Sequence, residues 1–460
     1  MAEKPDNSPQ MNRLRKDWTQ GPILRNLLLL SWPMIVMETL FVISQVVDMV
    51  WIGRLGGAAV AGAGIANIIF MLVTSIDFGI IMGVRALVAR YIGAGDIQGA
   101  RRVAGQALTI GIVWGAIVTV PGFIFAPQLI GMFGLAPEVV EQGTAYMRVM
   151  FCGWVAMEIL LMGLYIMQST GDTLNPMKLE LIIRIVHVAL CPFLVLGLWF
   201  FPRLEIAGAA LSNLISQVLG AGIAMWLLFG GRTRIRLSLS DFQINLNLIS
   251  RIFRIGIPAL VMNLQRSFGN VLLTWFIAPF GTTAVAAHSI AARIEMFIYM
   301  PTMGLGSGAG VLVGQNLGAQ KPERAEKSAW LALGIVQIFM LFCGVLLLVF
   351  ANNIISIFTT DPELVRIGAA FLRIATAAYI VMALTTVLQN CISSAGDTLP
   401  NMIISIVTIW AIQLPLAWAI PHFSTLGVYG IRWAMVIASV ASALITLAYF
   451  RTGRWKSKRV

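Results

Sequence analysis

The chain has 460 residues, of which 58% are hydrophobic and only 11% are charged, and its mean hydropathy is +0.85. Soluble globular proteins carry about 25% charged residues, so this composition excludes a soluble domain and indicates a polytopic membrane protein. The net charge of +12 does not indicate a nucleic-acid-binding protein, because the basic residues are spread over separate loops.

Long apolar runs recur from end to end, and each approaches the roughly 20 residues that cross a bilayer as a helix. We therefore predict an all-α integral membrane protein with twelve transmembrane helices. The predicted spans are residues 26–52, 58–84, 103–130, 139–167, 178–200, 207–229, 252–278, 284–313, 328–350, 364–393, 401–420 and 428–450. The first apolar run is too long for a cleavable signal peptide, so we expect it to remain as a helix.

Arginine and lysine are concentrated in alternate loops and in the tail that follows the last span. Cytosolic loops carry this excess of basic residues, so the pattern places both termini in the cytosol. We expect a multi-pass protein of the inner or plasma membrane.

The chain contains an internal repeat with one constant offset. The stretch from Pro33 to Met177 aligns without a gap on the stretch that begins at Pro258, and the matching pairs include Pro33 with Pro258, Gly56 with Gly281, Gly83 with Gly308, and "GDTL" at 171–174 with "GDTL" at 396–399. An even number of helices per copy keeps both copies in the same orientation. We predict a cytosolic segment (1–25), an N-lobe of six helices (26–229), a cytosolic linker (230–250), a C-lobe of six helices (251–450) and a basic cytosolic tail (451–460).

Several stretches together resemble the multidrug and toxic compound extrusion (MATE) family. They are "GVRALVARYIGAGD" (83–96), "STGDTLNP" (169–176), "GAALSNLISQ" (208–217) and "GVLVGQNLGAQ" (310–320). Pro33, followed fifteen residues later by Asp48 in "VVDMVWIGRLG", also fits this family. The resemblance implies twelve helices in two V-shaped lobes, and export of organic, often cationic, compounds by antiport with H⁺ or Na⁺.

The resemblance is to the DinF-like branch of that family, with a variant ion site. That branch usually carries Asn-x-x-x-Asp-Pro in the fifth helix, whereas "HVALCP" here places His187 and Cys191 at the Asn and Asp positions. The NorM-like branch carries a Glu in the seventh helix, where Arg266 stands here, and an Asp in the tenth, where this chain has no acid. The resemblance therefore implies an ion-site role only for Asp48, and a helix kink at Pro33.

Polar side chains line one face of the first span, where Glu38, Gln45 and Asp48 recur at helical spacing and share the face with Phe41. Lipid would leave such groups unpaired, so we expect them to face other helices or a cavity. The candidate substrate cavity consists of Glu38, Gln45, Asn67, Asn213, Asn263 and Arg266.

We expect Asp48 to be the main proton carrier, with His187 and Cys191 completing the proton-coupling site. Imidazole titrates near neutrality and is a weak ligand for Na⁺, which favours H⁺ over Na⁺. The second copy of the repeat has Leu273 in place of Asp48, so the coupling site belongs to the N-lobe. A bend of the first helix at Pro33, where the hydrogen-bond ladder is broken, is the expected conformational switch.

The sequence thus predicts a secondary antiporter that exports amphipathic, cationic organic compounds in exchange for H⁺ by alternating access. The alternatives are a lipid or lipid-linked-sugar flippase of the same superfamily and a Na⁺-coupled drug exporter. A membrane enzyme is the alternative from a different class, and we do not expect it, because the chain has no His/Asp/Glu constellation at metal-ligand spacing, no G-x-S-x-G and no Walker P-loop. We expect a monomer in a lipid bilayer that takes small organic molecules and uses an ion gradient, with no cofactor, metal, nucleotide or nucleic acid.

Overall fold

The computed structural model describes residues 16–199 and 201–458, which are helical almost throughout and contain no strand. In chain order the helices are α1 Ile23–Gly53, α2 Gly57–Gly93, α3 Ile97–Ile124, α4 Ala126–Gly131, α5 Pro137–Cys152, α6 Trp154–Ser169, α7 Leu174–Leu196, α8 Glu205–Phe229, α9 Leu246–Ile277, α10 Thr282–Gly318, α11 Pro322–Ser356, α12 Pro362–Ser394, α13 Thr398–Ile406, α14 Leu414–Phe423 and α15 Val428–Arg451. Short 3₁₀-helices occupy Leu239–Phe242, Ala278–Phe280 and Arg454–Ser457, and a π-helical segment, Val407–Gln413, joins α13 to α14.

Ten of the described helices are long and apolar enough to cross a membrane, when α13, the π-helical segment and α14 are taken as one. The pair α5 and α6, which is bent by 52°, adds an eleventh span. The twelfth helix is α9, which has 32 residues and is long enough to cross a membrane. It is less apolar than the others because it carries polar side chains such as Asn263, Gln265 and Arg266. The described chain thus holds a helix for each predicted span, and the predicted all-α membrane fold is confirmed.

Two predicted spans differ from regular α-helices. The span predicted at 139–167 breaks at Gly153, which lies so close to α8 that a Cβ there would meet Leu214 Cδ1 at 2.6 Å. The span predicted at 401–420 contains the π-helical segment immediately before Leu414 and Pro415. Proline cannot donate the usual backbone hydrogen bond, so the regular ladder is interrupted at this point.

The internal repeat is present in the backbone as well as in the sequence. Helices α2 and α10 are both 37 residues long, and they begin at Gly57 and Thr282, which are equivalent positions of the repeat. The glycines of the two "GDTL" loops, Gly171 and Gly396, have φ values of 88° and 86°. Glycine adopts such positive values readily, which explains why both loops require it.

A side-chain contact is repeated too. Arg148 Nε donates to the backbone oxygen of Phe123, and Arg373 Nε donates to that of Leu348, at 3.4 Å in each case. Both members of the second contact stand at the positions that the repeat makes equivalent to those of the first. The two copies therefore share local packing, which random similarity between apolar helices would not produce.

The described residues form two compact units. The first unit is built mainly from Val36–Ile252, and the second combines Gly21–Ile35 with the chain from Phe253 onward. The predicted lobes begin at residues 26 and 251, whereas the units divide inside α1, two residues after Pro33, and inside α9, after Ile252. Helices α1 and α9 thus each contribute to both units.

Two glycines at equivalent positions of the repeat pack closely against the N-terminal parts of α1 and α9. In the first unit, a Cβ on Gly83 would lie 2.4 Å from the backbone oxygen of Ile252 in α9. In the second unit, a Cβ on Gly308 would lie 2.2 Å from Ser31 Oγ in α1. Only glycine permits such close helix–helix approach in an apolar bundle.

Candidate proton-coupling site

Asp48 of α1 and His187 of α7 meet inside the first unit. His187 Nε2 lies 3.1 Å from Asp48 Oδ1, the His187 side chain is 1% exposed and that of Asp48 is 21% exposed. The other ring nitrogen, Nδ1, lies 3.0 Å from the hydroxyl of Ser44. Ser44 and Asp48 are four residues apart on α1, so one helix face supplies a group to each side of the imidazole ring.

The close contact between Asp48 and His187 is not aligned as a hydrogen bond. Among the described residues, neither Asp48 Oδ1 nor His187 Nε2 has a hydrogen-bond partner. Buried polar atoms are rarely left unpaired. A proton on either group would supply the donor that a hydrogen bond between these two atoms requires.

Cys191 lies one helical turn after His187 and is fully buried. The candidate ligand atoms of Asp48, His187 and Cys191 all lie within 4.8 Å of one another, and Ser212 of α8 lies close to the Cys191 thiol. The structure thus places together the three residues that the sequence indicated for proton coupling. Carboxylate, imidazole and thiol groups also bind Zn²⁺.

A chain of polar side chains continues from His187 toward the start of α7. Arg184 Nη1 lies 3.4 Å from Ser44 Oγ, and Arg184 Nε donates to Glu180 Oε1 at 2.8 Å. The guanidinium of Arg184 also lies 5.4 Å from the ring centre of Phe41. Ser44 therefore connects the Asp48–His187 pair with the buried ion pair of Arg184 and Glu180.

Glu38 lies at the far end of this chain and interacts electrostatically with Arg85 and Glu180. Arg85 is buried, and its guanidinium lies 6.0 Å from the ring centre of Tyr165. Glu38 was predicted as a cavity residue, and the structure places it among other charged groups of the first unit.

The other predicted cavity residues are distributed over both units. Asn67 of α2 lies close to the buried Tyr146 of α5, which also interacts electrostatically with Asp48. Gln45 is exposed, and Asn213 accepts a hydrogen bond from Gln217 Nε2 at 2.9 Å, on the same helix.

Asn263 and Arg266 belong to the second unit, on α9, where Asn263 is half-buried and Arg266 is exposed. Pro33 lies in the interior of α1, which continues as one helix from Ile23 to Gly53.

Sequence reasoning missed several buried charges. In the first unit, Glu158 of α6 is fully buried beside Asp77 of α2, although its position within a predicted span was a signal. In the second unit, the 2% exposed Arg432 pairs with Glu295 at 2.7 Å and lies 4.8 Å from the ring centre of Phe371. Which acids meet which cations depends on helix packing, which the sequence does not display.

A duplicated helical membrane fold with an ionisable network inside one copy is the architecture of a membrane transporter. The sequence model of the MatE family matches residues 33–193 and 258–419, so its two segments begin at Pro33 and Pro258, which the repeat aligns with each other. Together these segments cover more than half of the chain, so the chain belongs to the MatE family. Relatives with a known or probable role are transporters, and the chain is accordingly a transporter rather than an enzyme.

Similar proteins match over nearly the whole chain. A probable multidrug resistance protein NorM from Thermotoga maritima is 25% identical over 449 residues, covering 95% of this chain and 94% of that protein. A FAD transporter from Shewanella oneidensis is 26% identical over 432 residues, covering 94% of each. The crystal structure of a MATE protein in the bent conformation superposes with a TM-score of 0.90 at 23% identity, covering 98% of each chain, and shows that the fold is shared.

Proposed function

We propose that this protein is a secondary antiporter that exports amphipathic, cationic organic compounds in exchange for H⁺, with Asp48 as the main proton carrier. The observation that carries the proposal is the contact of Asp48 with His187, in which two facing polar atoms lack other partners in the described chain. The multidrug resistance named for the Thermotoga maritima relative supports organic compounds as substrates.

The geometry favours a proton over Na⁺ as the coupling ion. Sodium prefers several oxygen ligands, whereas Asp48 faces a ring nitrogen and a thiol. An imidazole changes its charge between about pH 5 and 8, which suits a group that binds and releases protons in a living cell. Proton loss leaves a charged carboxylate that must find a new partner, and proton binding removes that need.

The change of charge would be transmitted along α1 and α7. Ser44 contacts both His187 and Arg184, so a rearranged imidazole also disturbs the ion pair of Arg184 with Glu180. Pro33 lies near the point where α1 passes from the second unit to the first. A proline in a helix interior removes one backbone hydrogen bond, so bending there costs less than elsewhere. We infer that α1 has two conformations and that the protonation state of Asp48 selects between them.

The protein is a multi-pass membrane protein, and we propose the plasma membrane of the cell with both termini in the cytosol. The basic residues in alternate loops support this orientation. We propose that it acts as a monomer on small organic molecules.

An anionic organic substrate is the second candidate. A relative of nearly full-length coverage is a FAD transporter, and the exposed Arg266 stands in the predicted cavity. An arginine there would disfavour simple cations and bind phosphate groups. A lipid or lipid-linked-sugar flippase would also use an arginine at this position, because its substrates carry phosphate groups.

Transport by purified protein in proteoliposomes tests the proposal. Uptake of a fluorescent organic cation is measured with an imposed pH gradient or an imposed Na⁺ gradient, with and without added Zn²⁺. We compare wild type, Asp48→Asn, His187→Ala and, as a control, Glu138→Gln, which alters an exposed acid of the same unit.

We expect transport driven by the pH gradient, abolished in Asp48→Asn, strongly reduced in His187→Ala and unchanged in Glu138→Gln. Transport driven by Na⁺ and retained in Asp48→Asn would refute the proposal. Uptake of a fluorescent flavin nucleotide or lipid in place of the cation would favour the second candidate.

A further inference from the structure

A pair of buried carboxyl groups in the first unit has no part in the chain of contacts around Asp48. Asp77 of α2 is 1% exposed and Glu158 of α6 is 0% exposed. Trp114 Nε1 donates to Asp77 Oδ1 at 2.8 Å, and Trp154 Nε1 donates to Glu158 Oε1 at 3.1 Å. Each carboxyl thus has one oxygen held by an indole N–H.

The second oxygen of each carboxyl, Asp77 Oδ2 and Glu158 Oε2, is buried without a hydrogen-bond partner among the described residues. Both acids lie against the same turn of α3, where Trp114 binds Asp77 and a Cβ on Gly115 would lie 3.4 Å from Glu158 Cγ, and the two carboxyl groups interact with each other. Ionised carboxylates only accept hydrogen bonds, so a contact between two of them requires a proton. One shared proton supplies a donor, and neighbouring carboxyls cannot both be ionised without a large cost.

The surroundings offer no alternative source of positive charge. Neither carboxyl forms an ion pair with any cation of the described chain. From α3, a Cβ on Gly111 would lie 3.5 Å from Glu158 Oε2, so this helix backbone lies close to the pair. From α6, Trp154 packs with Phe70 at 4.5 Å between ring centres. Trp114 of α3 and Trp154 of α6 each present an indole N–H to the pair.

The second copy of the repeat lacks both acids. At the equivalent positions of that copy, Thr302 stands for Asp77 and Ala383 stands for Glu158, and both are buried. Burying an ionisable pair is costly, and the second copy packs these two positions without one.

We propose that Asp77 and Glu158 form a second proton-binding site of the first unit, which holds one proton between two carboxyl groups and is separate from the Asp48 site. On α2, Asp77 lies ten residues from Asn67, the residue of this helix that lies near Tyr146, which interacts with Asp48. Ten residues are a rise of about 15 Å along the helix. The proposal stands independently of the transport proposal, because proton binding by this pair is measured without a substrate.

Infrared difference spectroscopy of the purified full-length protein tests the site directly. A protonated carboxyl has a C=O band that ionised carboxylates lack and that shifts in D₂O. We compare wild type with Asp77→Asn, Glu158→Gln and the double variant Asp77→Thr/Glu158→Ala, which copies the second repeat. In the single variants an amide N–H supplies the hydrogen bond that the proton provided, which favours folding. Glu141→Gln, an exposed acid on α5, is the control.

We expect wild type to show this band at neutral pH, and each Asp77 and Glu158 variant to lose it while Glu141→Gln keeps it. Asp48→Asn must also keep it. A band that persists in both single variants, or that is absent from wild type, would overturn the proposal. If Asp48→Asn removes the band, the proton belongs to the Asp48 site. If wild type shows the band but no transport driven by the pH gradient, the transport proposal alone is refuted.

Discussion

His187 Nε2 lies 3.1 Å from Asp48 Oδ1, with the ring buried and the carboxylate partly exposed. The pair thus has one fully buried member and one partly exposed member. A proton that binds Asp48 changes the charge beside the imidazole, and Ser44 links the imidazole to Arg184. The contact therefore connects the proposed proton carrier with the packing of α1 against α7.

Removing the hydroxyl of Ser44 tests this connection. Ser44→Ala deletes the contacts with His187 and Arg184, and one hydrogen bond is worth about 1 kcal/mol, so we expect pH-driven transport to fall about fivefold. Ser44→Thr keeps a hydroxyl and should retain most of the activity. Equal transport by Ser44→Ala and wild type, at equal protein per vesicle, would show that the hydroxyl does not transmit the change.

Gly83 is expected to be essential for packing. Gly83→Ala places a Cβ 2.4 Å from the backbone oxygen of Ile252, and overpacking of this kind costs about 1–3 kcal/mol. Gly64→Ala on the same helix is the matched control, since nothing lies within 4 Å of its Cβ. We expect thermal unfolding in detergent to occur at a lower temperature for Gly83→Ala and at an equal or higher temperature for Gly64→Ala. The opposite order would mean that α9 does not approach Gly83 this closely.

Asp172, in the loop between α6 and α7, should make stability depend on pH. Burial raises the pKa of Asp172 to about 6, although hydrogen bonds from Asn175 oppose the shift. A pKa that is higher in the folded state means that the folded state binds the proton more tightly. Stability is therefore fully present below the unfolded pKa of about 3.9 and is lost as pH rises through about 6.

Thermal unfolding of wild type and Asp172→Asn, measured from acidic to neutral pH, checks this sign. We expect wild type to lose stability over that range and the variant, whose amide oxygen still accepts from Asn175, to lose less. A wild-type melting temperature that rises with pH, or the same pH profile in both proteins, would contradict the assignment. Glu138→Gln, an exposed acid, should leave the profile unchanged.

The ion pair of Arg432 with Glu295 should show strong coupling in a double-mutant cycle. Removing one partner of a buried pair costs about 3–5 kcal/mol, because the other charge is left unpaired, whereas replacing both is far less costly. We expect Arg432→Leu to be strongly destabilised and Arg432→Leu/Glu295→Leu to recover most of the loss. Additive effects of the two single variants on unfolding would show that the pair is not coupled.

The sequence predicted the site around Asp48 better than it predicted the other buried charges. Asp48, His187 and Cys191 could be placed because helical spacing puts His187 and Cys191 on one face of α7, and the family resemblance pairs that face with α1. Asp77 and Glu158 lie on helices whose relative rotation is set by packing, including the close approach of Gly111. That rotation has no signature in a single sequence.

The repeat could be predicted in detail for a different reason. Glycines such as Gly171 and Gly396 have backbone angles that other residues rarely adopt, so their positions survive divergence of the apolar residues around them. The division of α1 between two units could not be predicted, because hydropathy assigns the whole run to one helix. It depends instead on long-range contacts such as that of Ser31 with Gly308.

Proton release on substrate binding is the most direct test of Asp48 as the carrier. Purified protein is held in weakly buffered detergent solution with a pH indicator, and a lipophilic organic cation is added. We predict that wild type and Asp77→Thr/Glu158→Ala release protons as the cation binds, whereas Asp48→Asn binds the cation without releasing them. Undiminished release from Asp48→Asn would contradict the account, because the exchanged proton would then come from another group.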